Sequence, residues 1–244
     1  MRRQRLVRNL ALIGIALLST LAIAEEPSQA DSADQAESVF HEDFEGESAE
    51  RWVEQGFPSV ARKNQFSIAK GEKGNHYLRV ESIRSSSGRG VRLALSVERC
   101  PHLRWRWRVS NTIALADLSL RERDDAAAKL YLVFDGPSRW NPLDKRILVY
   151  VWDRAGPIGR ITPNAWLPES ERMLVLESAT SPMNEWVHES VDLERDFKRA
   201  FPGEEPGELE ALAFIADTDN AGGRVSAGLD DLTIRCRSEK PRRP

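Results

Sequence analysis

The chain has 244 residues, of which 41% are hydrophobic and 30% charged, with 15 glycines, 13 prolines and two cysteines. These proportions exclude a collagen-like, disulfide-dense or wholly disordered protein, and the length suits one domain of roughly 200 residues. Without residues 1–24, which carry four arginines and no acid, 31 Lys and Arg face 38 Asp and Glu, a net charge of −7. That balance excludes the basic surface of a nucleic-acid-binding protein.

Residues 1–24 have the pattern of a signal peptide. Four arginines precede the apolar run at 10–24, which ends in Ala22-Ile23-Ala24, an A-x-A cleavage site. The run is shorter than the 18 or so apolar residues expected of a membrane-spanning helix. We therefore expect cleavage, no stable membrane span afterwards, and a periplasmic or secreted protein.

Residues 25–38 are acidic and rich in Ser and Ala, which predicts a flexible leader, and residues 237–244 form a basic tail. Between them, residues 39–236 read as one domain of short alternating apolar runs separated by turn residues. The pattern predicts eleven strands, at 39–44, 66–69, 77–81, 91–97, 103–109, 129–134, 147–152, 173–177, 186–191, 212–216 and 229–234. Asp192 can cap one short helix that ends before Pro202-Gly203, and residues 111–127 read either as a long loop or as a short helix. The fold class that follows is all-β, an antiparallel, jelly-roll-like β-sandwich with one short helix in its C-terminal third.

The strand at 103–109 alternates apolar residues with arginines, so one face belongs to the core and the other carries three guanidinium groups about 7 Å apart. Such a row suits carboxylate, phosphate or sulfate groups, or else it pairs with acids of neighbouring strands. The strand at 147–152 is apolar on both faces, which indicates a central strand or a strand that lines a groove. Together these features predict a ligand groove lined by Arg104, Arg106, Arg108, Tyr131, Tyr150 and Trp152.

An acidic segment near the C-terminus suggests a cation site. Residues 217–222 begin like an EF-hand loop, but Ala221 and Gly228 stand where oxygen ligands are required, which excludes an EF-hand. Calcium could still be held by a different set of oxygens, and the alternative is that these acids only stabilise turns. The calcium ligands predicted are Asp217, Asp219, Asp230 and Asp231, with Asp43 (or its neighbour Glu42) joining if the terminal strands pair.

Signals of catalysis are weak. Asp124 and Asp125 form a carboxylate pair, but adjacent residues of an extended chain point in opposite directions, which favours a loop or cap role over acid–base chemistry. No nucleophile motif or phosphate-binding glycine loop is present. Cys100 and Cys236 would form a disulfide in an oxidising compartment, or remain as two buried thiols, and their spacing indicates no zinc site.

An ordered series of segments resembles the bacterial exported family known as domain of unknown function 3047, over residues 40–234. The segments are LRWRWRV (103–109), DD (124–125) before KLYLVF (129–134), YVW (150–152), VD (191–192), DFKRAF (196–201), ADTDN (216–220) and GLDDL (228–232). This resemblance implies no catalytic or binding residue.

A looser similarity is to concanavalin-like and carbohydrate-binding-module jelly rolls. In those folds an opening Asp-Phe-Glu strand, here 43–45, pairs with a closing Leu-Asp-Asp-Leu strand, here 229–232. The similarity implies glycan binding on a sheet face and a structural calcium near the termini. The Glu-x-Asp-x-x-Glu catalytic strand of laminarinases is absent.

The function expected from the sequence is therefore that of an exported β-sandwich which binds a carbohydrate or another cell-envelope ligand without catalysis. Two alternatives remain open. One is a polysaccharide hydrolase or lyase that uses Asp124 or Asp125 with Tyr131 or an arginine. The other is a structural envelope protein whose strand faces dock another protein.

Overall fold

The computed structural model describes residues 38–138, 141 and 144–238. The predicted signal peptide, the leader except Ser38, and the tail beyond residue 238 lie outside the described residues. Across the described part of the chain, no helix has the length and apolar character needed to cross a membrane.

The described residues form thirteen strands, one α-helix and two short 3₁₀ turns. The strands are β1 (Ser38–Glu42), β2 (Val53–Gly56), β3 (Gln65–Lys70), β4 (His76–Ile83), β5 (Ser86–Ser96), β6 (His102–Val109), β7 (Ala126–Asp135), β8 (Lys145–Trp152), β9 (Ile161–Pro163), β10 (Glu171–Glu177), β11 (Val187–Asp192), β12 (Glu208–Asp217) and β13 (Arg224–Arg235). The helix α1 spans Leu193–Ala200, and the 3₁₀ turns span Glu47–Arg51 and Arg121–Arg123.

All eleven predicted strands are present, and the sequence analysis missed two short ones. The missed strands are β2, with four residues, and β9, with three. The ambiguous segment before β7 is a loop that contains the 3₁₀ turn Arg121–Arg123. The predicted helix is confirmed as α1, and the Asp192 side chain caps it by accepting a hydrogen bond from the backbone N–H of Arg195 at 2.9 Å.

The strands form two sheets. The six-stranded sheet has the order β11-β6-β13-β4-β3, and β1 pairs with the second half of β13, where β4 has ended. The seven-stranded sheet has the order β2-β5-β12-β7-β8-β10-β9. The opening and closing strands therefore pair, as the sequence allowed.

One pairing departs from the antiparallel prediction. Strand β10 runs parallel to β8, while the other pairs in both sheets are antiparallel. The long connection between β8 and β10, which includes β9, gives the chain room to return and run in the same direction, as a parallel pair requires. The seven-stranded sheet is therefore mixed.

Aromatic rings join the two sheets at the centre of the core. Trp105 of β6 stacks on Tyr150 of β8 with ring centroids 5.3 Å apart, and Trp107 contacts Trp152 at 5.7 Å. These rings belong to one buried hydrophobic cluster with inward residues of both sheets. The β-sandwich predicted from the alternation is confirmed, and the rings fix which face of each strand points outward.

The two cysteines are joined. Cys100, just before β6, forms a disulfide with Cys236, just after β13. Of the two alternatives left open by the sequence, the structure has the bridge, and it ties together the ends of two paired strands of the six-stranded sheet.

Candidate binding cleft

A cleft of about 490 Å³ lies on the outer face of the seven-stranded sheet. Because side chains alternate along β7, Leu130 and Leu132 point into the core, whereas Lys129, Tyr131 and Val133 point into the cleft. Strands β8, β10 and β12 complete the floor.

The walls of the cleft come from opposite edges of the sheet. Strand β2 is at one edge, and the loop after it contributes Phe57, Pro58 and Val60. Strand β9 is at the other edge, and the loop after it contributes Trp166 and Leu167. Two of these side chains are large aromatics open to solvent, with Phe57 38% and Trp166 54% exposed. The cleft is thus an apolar trough with aromatic rims.

Lys129 is buried in the floor with an exposure of only 1%. Its Nζ lies 2.9 Å from Asp217 Oδ2 and 3.3 Å from Asp124 Oδ1, and it also donates to the Asp124 backbone carbonyl at 3.1 Å. Burial by itself would lower the pKa of Lys129, but the carboxylates of Asp217 and Asp124 outweigh burial and hold this pKa well above its ordinary value. The lysine is therefore a charged ammonium group, and both of its carboxylate partners come from the cleft.

The same network braces the Trp166 rim. Asn164 Nδ2 donates to Asp124 Oδ2 at 2.9 Å, while Asn164 Oδ1 accepts the backbone N–H of Trp166 at 2.7 Å and of Leu167 at 3.0 Å. The guanidinium of Arg121 lies 5.3 Å from the centre of the Trp166 ring. A chain of side chains therefore connects the buried ammonium group to the exposed aromatic wall.

Several polar atoms of the floor have no hydrogen-bond partner among the described residues. Glu171, at the start of β10, is 4% exposed, and its Oε1 is unpaired. Burial raises the pKa of Glu171 to about 7. The Tyr131 hydroxyl also forms no hydrogen bond with the described residues, and burial raises its pKa well above the ordinary value, so it remains a neutral donor. A ligand in the cleft can pair with both.

An acidic cluster shares Asp217 and Asp219 with the lining of the cleft. One carboxylate oxygen each from Asp125, Asp217 and Asp219 lies within 4.8 Å of the other two. Asp125 also holds the following loop, because it accepts the backbone N–H of Asn220 at 3.0 Å and of Ala221 at 2.8 Å. Burial, together with the neighbouring Asp217, raises the pKa of Asp219 to about 7. Either a proton or a cation can relieve the repulsion in this cluster.

The predicted groove is wrong as a single site. Tyr150 and Trp152 are 0% exposed and lie between the sheets, because the face of β8 that the sequence assigned to a groove is the core face. The three arginines lie on the outer face of the six-stranded sheet, opposite the cleft. Only Tyr131 of the predicted set lines the cleft.

The arginine row is largely engaged by other side chains. Arg106 pairs with Asp230 at 2.6 Å and with Asp231 at 2.9 Å. Arg108 donates to the Tyr77 hydroxyl at 2.5 Å, and the Trp186 ring lies 4.9 Å from the guanidinium groups of both arginines. Arg104 is exposed. Arg106 therefore pairs with acids of a neighbouring strand, which was the alternative to ligand binding for this row.

The predicted calcium set is also divided. Asp217 and Asp219 lie at the cleft, whereas Asp230 and Asp231 lie with Arg106 on the opposite outer face. Asp43 pairs with His41 at 3.3 Å and accepts the backbone N–H of Glu45. The five-residue set is wrong because β12, which ends at Asp217 just before Asp219, and β13, which carries Asp230 and Asp231, belong to different sheets.

Asp124 and Asp125 point apart, as expected of neighbours. Asp124 lines the cleft beside Lys129, and Asp125 joins the acidic cluster. The sequence analysis missed Lys129, Asn164, Trp166 and Glu171 as site residues. A lysine within the apolar run 126–134 was a usable signal, because a charge inside a buried strand needs partners. No comparable pattern marks the other three.

The raised pKa of Glu171 makes the stability of the fold depend on pH. Between the ordinary value of 4.5 and about 7, the folded chain holds a proton at Glu171 that the unfolded chain has released. The unfolded state binds fewer protons, so this contribution to the free energy of unfolding falls as pH rises through that window. We expect Glu171→Gln to make the fall shallower, by at most about 1.4 kcal/mol per pH unit. Urea unfolding across the pH range measures this, with Glu169→Gln, an exposed neighbour, as control. Identical slopes in both variants would contradict the assignment.

Comparison with known proteins gives the following relationships. No curated protein matches the chain. Among solved structures, the CBM22-1 xylan-binding domain of Paenibacillus barcinonensis Xyn10C is similar at 12% identity and a TM-score of 0.43, covering 84% of this chain and 97% of that one. The family 11 carbohydrate-binding module of a Clostridium thermocellum cellulosomal cellulase is similar at 10% identity and a TM-score of 0.44, covering 82% and 95%. The family described as "Protein of unknown function (DUF3047)" matches residues 50–233, and the chain therefore belongs to this family.

Proposed function

We propose that the chain is an exported, non-catalytic carbohydrate-binding protein that holds its ligand in the cleft of the seven-stranded sheet. Ligand pockets are typically concave, mostly apolar, and supplied with a few polar groups that orient the ligand. The cleft has this composition, and its volume of about 490 Å³ lies in the range of small-ligand sites. The ligand would be an oligosaccharide segment lying in the open trough.

The observation that carries the proposal is the pair of unpartnered polar groups between aromatic walls. A sugar ring presents apolar C–H faces and a rim of hydroxyl groups. Phe57 and Trp166 offer exposed ring surface for those faces, while the Tyr131 hydroxyl and Glu171 Oε1 are free to bond to sugar hydroxyls. The cleft therefore offers both kinds of contact that a sugar ring needs, aromatic and polar, within one small volume.

The energetics of the floor also support a ligand role. Burying Lys129 with two carboxylates costs several kcal/mol of desolvation per ion, and apolar residues of similar size often serve stability as well or better. Neighbouring outward positions such as Val149 and Val151 are apolar and buried. Lys129 and its carboxylate partners are therefore not required to cover the sheet, and ligand binding would explain their presence.

Export is part of the proposal. The pattern of residues 1–24 supports it, and so does the Cys100–Cys236 disulfide, because disulfides persist in oxidising compartments such as the periplasm.

We expect Trp166→Ala to weaken oligosaccharide binding at least about tenfold, which corresponds to about 1.4 kcal/mol, because it removes one wall of the cleft. The side chain is more than half exposed, so the fold should survive. Binding is measured by isothermal titration with oligosaccharides retained in a glycan-array screen. The matched control is Arg104→Ala on the opposite face, which should leave binding unchanged. Loss of binding in Arg104→Ala but not in Trp166→Ala would place the ligand on the six-stranded sheet and contradict the proposal.

Hydrolysis of the bound glycan is a second candidate function, and Glu171 is the observation that favours it. A buried carboxyl with a pKa of about 7 in a cleft can donate a proton to a glycosidic oxygen near neutral pH. A second carboxylate would then deprotonate the attacking water, and Asp124 lines the same cleft. If this candidate is correct, the wild-type protein releases shortened oligosaccharides and Glu171→Gln does not. Intact ligand after prolonged incubation, analysed by mass spectrometry, would leave binding alone.

The structural calcium also belongs to the proposal, now with Asp125, Asp217 and Asp219 as its ligands. Carboxylate oxygens are what calcium prefers, and the cluster brings three of them close together. Lys129 supplies only one positive charge to Asp217 and Asp124. At a hundredfold excess over its Kd, calcium should stabilise the fold by about 2.7 kcal/mol, seen as a higher melting temperature than in chelator. Asp219→Asn should reduce the difference, and a wild-type melt that does not move would contradict the calcium site.

A further inference from the structure

We infer that the cleft recognises an amino sugar, whose free amine carries a positive charge, and that Glu171 binds this ammonium group. The inference rests on the proposed function and names the class of sugar.

The charges that line the cleft favour a cation. Four acids, Asp124, Asp217, Asp219 and Glu171, face a single basic residue, Lys129. Above pH 7, where Glu171 and Asp219 are also ionised, the balance without a bound cation is three negative charges in excess. A cleft with low-dielectric walls focuses such a field, which attracts cations and repels acidic sugars. This reverses the expectation of an acidic glycan that an arginine-lined groove would have carried.

Lys129 is not available to an anionic ligand. Its side chain is almost completely enclosed, and its ammonium group already contacts Asp124 and Asp217. The lysine therefore neutralises part of the floor instead of offering a site for a carboxylate or sulfate. The acidic or basic side chain of the floor that has no hydrogen-bond partner among the described residues is an acid, Glu171.

The position of Glu171 suits an ammonium group on a sugar that lies in the trough. In the sheet register Glu171 is opposite Ile147, which is opposite Val133, and all three line the cleft. Its unpaired Oε1 lacks a donor, and an ammonium group supplies three. Charge-assisted hydrogen bonds of this kind are about twice as strong as neutral ones, and a neutral hydroxyl would gain less from the same oxygen.

Binding should be linked to release of a proton. The Glu171 carboxyl is largely protonated at slightly acidic pH because burial raises its pKa. A neighbouring ammonium group favours the carboxylate, so the carboxyl gives up its proton to solvent while the amine keeps its own. A neutral sugar gives no such exchange.

The test is isothermal titration of the full chain, with chelator present, against glucosamine, N-acetylglucosamine and glucose oligomers of equal length, and against putrescine. We expect the glucosamine oligomer to bind about ten- to a hundredfold more tightly than the other two sugars, the range expected for a hydrogen bond to a charged group. At slightly acidic pH, titrations in two buffers of different ionisation enthalpy should show proton release with glucosamine alone, a readout that needs no variant.

Glu171→Gln should abolish both the preference for the glucosamine oligomer and the proton release. The exposed Glu169→Gln is the matched control and should keep both. Equal affinities for all three sugars would overturn the amino-sugar inference and leave the proposed function intact. A preference that survives Glu171→Gln would overturn the role of Glu171. Binding of putrescine without binding of any sugar would overturn the proposed function, and no binding at all would overturn both.

Discussion

A lysine buried on the outer face of a sheet must be neutralised, and the cleft is organised around that requirement. Alternation along β7 places Lys129 outward, at 1% exposure, where an unpaired charge would be prohibitively costly. One carboxylate partner, Asp124, is in the loop just before β7, and the other, Asp217, is far away in the chain at the end of β12. Each partner in turn positions other groups. Asp124 holds Asn164, which holds the Trp166 rim, and Asp217 lies in the acidic cluster with Asp125 and Asp219.

The two outer faces of the sandwich differ in how their charged side chains are paired. On the six-stranded sheet, charges are paired near the surface, with Arg106 between Asp230 and Asp231 and beneath the Trp186 ring. On this face Arg106 and Arg108 are engaged by neighbouring side chains. On the seven-stranded sheet, the charges are buried, carboxylates outnumber ammonium groups, and Glu171 Oε1 has no partner among the described residues. Polar groups left unpaired in a concave apolar setting are typical of a ligand site, and this contrast is why we place the function on the second face.

The fold was predictable from the sequence to a greater extent than the site. Alternation in the segment 103–109 identified the core face of β6, and the cap at Asp192 identified α1, because both depend on local periodicity and local hydrogen bonds. The same periodicity could not say which apolar face of β8 was internal, so Tyr150 and Trp152 were assigned to a groove instead of the core. Sheet membership is a non-local property, and it divided Asp217, the last residue of β12, from Asp230, which lies within β13. Glu171 owes its burial and its raised pKa to neighbours far away in the chain, which no local pattern encodes.

The central claim is that ligand binds on the seven-stranded sheet, between the Phe57 and Trp166 rims. Amide hydrogen exchange with and without an oligosaccharide that binds the protein tests this claim most directly, since it reports both faces in one experiment. We expect slower exchange in the loops at 57–60 and 164–167, with exchange in β6 and β11 unchanged. Protection confined to β6 and β11 would contradict it and return the binding site to the arginine face.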